Sequence, residues 1–63
     1  MWDFLFELTE YSENEGELIL CEEDTLEKAW ETLLFKYHFE PDELRFIEQM
    51  SVYEGECLGY DTY

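Results

Sequence analysis

The chain has 63 residues, of which eighteen are Asp or Glu and three Lys or Arg, a formal charge of −15. So few cations leave nothing to neutralise phosphates, which argues against direct nucleic-acid binding and against adsorption to anionic membranes. Length sets one domain, residues 1–63, near the lower limit for independent folding. Hydrophobic residues make up 46% and aromatics 19%, too many for an acidic disordered tail. These numbers predict an acidic shell on an aromatic-rich core.

In chain order, Trp2, Phe4, Phe6 and Leu8 share one parity and Asp3, Glu7 and Thr9 the other, the pattern of a half-buried strand. The start has neither a basic region nor an apolar core, so no secretory signal is expected. Ser12–Gly16 supplies turn chemistry, and Leu18–Cys21 is a second strand-length apolar run, which together predict a hairpin. Asp24 with Glu27 three residues on reads as a capping box. Leu26, Ala29, Trp30, Leu33, Leu34 and Tyr37 then follow helical spacing, ending near His38 before Pro41. Lys28 can pair with Asp24 or Glu31, and Lys36 with Glu40.

Leu44, Phe46, Met50 and Val52 share a parity broken by Glu48, which predicts a third strand continuing through Val52-Tyr53. A short helix begun at Pro41 is the alternative. Glu54-Gly55 reads as a turn, and the closing eight residues as a short fourth strand or a packed tail. The predicted fold is α+β: a small antiparallel sheet of three strands, or four if the tail joins, with one amphipathic helix on one face, in the order β-β-α-β(-β).

Catalytic combinations are scarce. The one histidine, His38, sits at a helix end and reads as structural, and close carboxylate pairs arise by chance among eighteen acids. The chain is also short for enclosing a small-molecule pocket. No enzyme, cofactor or metal is expected. Cys21 and Cys57 fit no metal-binding spacing and are expected as free, mostly buried thiols, with a disulfide as the alternative. Glu13–Glu17 lacks the ligand spacing of a calcium loop.

The surface is the remaining candidate. Glu13, Glu15 and Glu17 at strand spacing, and Glu23, Glu27 and Glu31 at helical spacing, would form rows of charge roughly 6–7 Å apart, comparable in scale to backbone phosphates. The alternative is a solvated face that keeps a small domain soluble. With Glu40, Asp42, Glu43, Glu54, Glu56 and Asp61, these rows make the chain resemble, by composition over its whole length, the small phage and mobile-element inhibitors that mimic nucleic acid. Anti-restriction, anti-CRISPR and DNA-glycosylase inhibitor proteins are of this kind. The resemblance spans many folds and rests on no motif. It implies a cytoplasmic inhibitor, acting in the host cell if phage-encoded, whose partner is a basic nucleic-acid-binding protein. Tyr11, Tyr53, Tyr60 and Tyr63 are candidate aromatic anchors. The chain would act as a monomer or a homodimer, and an ordinary acidic interaction or assembly domain is the competing expectation.

Overall fold

The computed structural model describes residues 1–63 as an α+β domain. Strands β1 (Trp2–Leu8), β2 (Leu18–Glu23), β3 (Leu44–Ser51) and β4 (Asp61–Thr62) form one sheet in the order β3-β1-β2-β4. β1 pairs antiparallel with both β2 and β3, as the hairpin pattern requires. The sheet is nevertheless mixed, because β4 runs parallel to β2. Tyr63 extends that edge, its N–H donating to the Leu20 carbonyl at 2.7 Å and its own carbonyl accepting from Glu22 at 3.2 Å. No helix is long and apolar enough to cross a membrane.

The even parity of β1 faces the main core. Phe4, Phe6 and Leu8 pack with Ile19, Cys21 and Leu44 beneath Ala29 and Leu33 of helix α1 (Leu26–Glu31) and its continuation. The Phe6 ring of β1 meets Trp30 of α1 edge-on at 5.0 Å and Phe46 of β3 at 5.7 Å, tying the helix and the neighbouring strand to the central one. Helix α1 begins one residue later than expected: Thr25, not Asp24, accepts from the Lys28 N–H at 3.2 Å. Asp24 instead lies 3.9 Å from Lys28 and 4.0 Å from the terminal amine. The helix widens into a π-turn over Thr32–Lys36 and stops at His38, whose φ of 62° turns the chain. Lys36 lies over the Tyr37 ring, 5.4 Å from its centroid, in place of the expected pair with Glu40.

The C-terminal third corrects the sequence expectation in three ways. Pro41–Glu43 forms a 3-10 turn closed by a Glu40–Glu43 capping box, so the proposed short helix and the strand both occur, in succession. A bulge shifts the β1–β3 register between Leu5 and Phe6, leaving Ile47 without a partner. Leu44 and Phe46 therefore join the main core, whereas Met50 crosses to the opposite face with Leu5 and Leu20. Finally, Val52–Leu58 is helix α2, not strand and turn. Ser51 caps it by accepting from the Glu54 N–H at 3.1 Å, and Gly59 at φ 74° ends it. The domain thus has a helix over each face of its sheet, with Gly55 buried where α2 meets β1.

Candidate acidic interaction surface

Thirteen of the eighteen carboxylate residues are exposed, four are partly buried and Asp3 alone is buried. Ion pairs reach only Asp24 and Glu7, the latter bonded to Arg45 across the β1–β3 ladder. The acids are otherwise uncompensated, and the fold distributes them among three regions.

The largest group lies at the sheet end reached by the C-terminus of β1. Leu8 donates to the Glu17 carbonyl and accepts from the Gly16 N–H, both at 2.8 Å, which fixes the loop holding Glu10, Glu13, Glu15 and Glu17. Thr9 then joins that loop to the 3-10 turn: its N–H donates to the Glu43 carbonyl at 2.9 Å, and its hydroxyl donates to the Asp42 carbonyl. Glu40, Asp42 and Glu43 are thereby brought to the same end. Arg45 is the one cation beside them, in a shallow cleft of about 410 Å³ with Glu7, Glu10 and Glu15. Glu13 and Glu15 lie within the turn, so these acids form a cluster and not the expected strand row.

The second group follows α1. Glu27 and Glu31 are exposed one helical turn apart. Glu23 belongs to β2, not to the helix, and accepts from the Thr32 hydroxyl at 2.8 Å.

The third lies on the face that α2 crosses. Glu54 and Tyr60 line a groove with Glu48, and Glu56 is exposed on the helix; Asp61 lies apart from them, exposed on β4 at the register position of Ile19 and so on the α1 face. Of the other tyrosines, Tyr11 and Tyr53 are exposed, whereas Tyr63 is partly buried, edge-on to Tyr37 at 4.9 Å and Phe39 at 5.7 Å. Its ring contacts and its place against the main core make Tyr63 a packing residue more than a surface anchor, and burial first, then the nearby charges of Glu17 and Asp61, raises its hydroxyl pKa.

The parity of β1 puts Asp3 among the solvent-facing residues, but it is 1% exposed. It sits between Glu22 on β2 and Met50 on β3 and under Gly55 of α2, with Oδ1 lacking any hydrogen-bond partner. Its carboxyl pKa is raised, chiefly by burial and further by the negative charges of Glu22 and Glu56.

Sequence reasoning passed over Glu10 and Glu48 as well. Glu10 adjoins the turn already singled out, and Glu48 breaks its strand's parity because of the bulge. The cysteines do not pair: Cys21 is buried and Cys57, contrary to expectation, is exposed. No group of three His, Cys, Asp or Glu side chains is arranged to hold a metal ion. Comparison with protein-family models, curated proteins and solved structures finds no match.

Proposed function

We propose that the chain is a non-enzymatic inhibitor that presents a nucleic-acid-like anionic surface to a basic nucleic-acid-binding protein, of the kind found in host defence or DNA processing. What carries this proposal is the set of thirteen exposed carboxylate residues on an ordered scaffold, nearly all without a cation. A solubility coat would work equally well with mobile or paired acids. Here backbone hydrogen bonds instead hold six of the exposed acids, with the partly buried Glu43, at one end of the sheet. Positioned like charges repel one another, at a cost in stability that a cationic partner would offset. Such a surface would steer association with a basic groove and make it fast and salt-sensitive.

The test is a binding titration against a basic nucleic-acid-binding target, such as a CRISPR effector, a restriction complex or a DNA glycosylase, across a range of ionic strength. Duplex DNA would serve as competitor. Affinity that falls steeply with salt, together with mutual exclusion by DNA, is the expected result. Binding indifferent to salt, or formation of a ternary complex with DNA, would overturn the proposal.

A second reading, self-assembly, is favoured by the outer edge of β3, which pairs with no other strand and exposes Ile47. Sizing at low and high salt separates the two, since a dimer burying that edge would be promoted as repulsion is screened.

A further inference from the structure

Leu5, Met50, Leu58 and Tyr60 line a groove of about 240 Å³ beside α2, and its two other lining residues are Glu48 and Glu54. Leu5 and Met50 are its buried floor, while Leu58 and Tyr60 remain 46% and 38% exposed. The volume falls below the roughly 300–1,000 Å³ usual for small molecules and suits a single inserted side chain. Resting on the function proposed above, we propose that this groove receives an arginine side chain from a basic segment of the partner protein. The aliphatic stem packs on Leu5, Met50 and Leu58, the guanidinium reaches the two carboxylates, and Tyr60 offers its ring face.

Charge complementarity selects this occupant. An apolar side chain would desolvate Glu48 and Glu54 without pairing them. A second copy of this chain is a poor donor, because its only arginine, Arg45, is held by Glu7 and its Lys28 lies beside Asp24. Between the two cationic side chains, arginine suits the site better. Its planar fork can address two carboxylates and stack on an aromatic ring, whereas the lysine ammonium is a compact and strongly hydrated charge. The cleft at Arg45 has Leu8 as its one apolar lining residue, and the apolar cleft at Leu34, Phe35 and Phe39 offers one carboxylate, Glu40, beside His38. The groove beside α2 is thus the place where two carboxylates flank a mostly apolar lining.

The experiment is an amide-resolved NMR titration of the intact chain with nona-arginine and nona-lysine peptides, at physiological and at raised ionic strength. It is repeated on Glu48→Gln/Glu54→Gln, on Leu58→Ala, and on the control Glu27→Gln/Glu31→Gln from the opposite side of the sheet. All five positions are exposed, so the variants keep the fold. Shifts should centre on the groove, and nona-arginine should bind several-fold more tightly than nona-lysine. The groove double variant should lose about tenfold in nona-arginine affinity, the scale of one charge-assisted contact. Leu58→Ala should lose a few-fold, and the control should lose less than either.

Equal losses in the two double variants, or equal binding of the two peptides, would overturn the groove while leaving the acidic decoy standing. Groove-specific loss with affinity indifferent to salt would keep the groove and overturn the decoy. Absence of binding to either peptide would overturn the groove.

Discussion

Replacing Gly55 with alanine tests how α2 is seated. An added Cβ would lie 1.8 Å from Asp3 Oδ2, 2.7 Å from its Cγ and 2.9 Å from its Cβ. Rotating the carboxylate cannot clear the last contact, because the Asp3 Cβ is fixed to the β1 backbone, and the buried side chain has little space to enter. Overpacking of this kind costs about 1–3 kcal/mol, and contact with both Cγ and Cβ places it toward the upper end. Alanine also gains about 1 kcal/mol over glycine in a helix interior. The expected net loss is therefore about 2 kcal/mol, a fall in Tm of roughly 8–16 °C for a domain of this size. In an Asp3→Ala background the Oδ2 and Cγ contacts vanish and only a slight shift is needed. There Gly55→Ala should be neutral or stabilising, with a coupling of about 2–3 kcal/mol in the double-mutant cycle. Urea unfolding followed by circular dichroism of the four proteins measures it. A rise in stability for Gly55→Ala alone, or the same loss in both backgrounds, would refute the proposed seating of α2 on Asp3.

Two further predictions concern titratable groups. Asp3 has a folded pKa raised above its ordinary 3.8, so below that value it is protonated in both states and costs nothing. As pH rises through the folded pKa the native state must give up its extra proton, and stability falls to a lower plateau. Asp3→Asn should therefore gain most over the parent at neutral pH and least in acid, in urea titrations repeated across pH; parallel curves for the two proteins would contradict this. Separately, a thiol reagent should modify Cys57 rapidly and leave Cys21 protected in the folded chain, because Cys21 is buried and burial with the Glu23 and Asp3 charges pushes its thiol to about 11. Mass spectrometry of the native and unfolded protein distinguishes the sites, and equal native rates would show the core open at Cys21.

The hairpin and α1 were legible because each buries one face with a regular period: Phe4, Phe6 and Leu8 alternate, and Ala29 and Leu33 recur one turn apart. The C-terminal third was not, because its bulge at Ile47 breaks the strand's parity and carries Met50 to the other face. Two signals for α2 stood in the chain nonetheless. Ser51 precedes Glu54 at capping-box spacing, and Gly59 follows at the helix end. Valine and tyrosine at 52–53 outweighed them because their strand preference extends the preceding pattern. Leu5 was the sign of a second covered face, since an apolar residue on the polar parity needs something to lie against. The acidic character of the surface followed from composition alone. The gathering of loop 9–17 with Glu40, Asp42 and Glu43 did not, because it depends on the long-range bonds of Thr9.

The unpaired outer edge of β3 gives acidity two opposing effects. Lowering the pH toward the isoelectric value of about 4.1 adds protons to the carboxylates, to Asp3 ahead of an ordinary aspartate, and relaxes repulsion within each molecule, so the fold itself gains stability. The same protons strip away the repulsion between molecules, leaving the bulge and the Arg45 charge to guard an edge that exposes Ile47. Conformational stability and colloidal stability then part company: the pH at which a single molecule is hardest to unfold lies close to the pH at which a solution of them is readiest to precipitate. For this chain the large negative charge is also a barrier between an open sheet edge and its own copy.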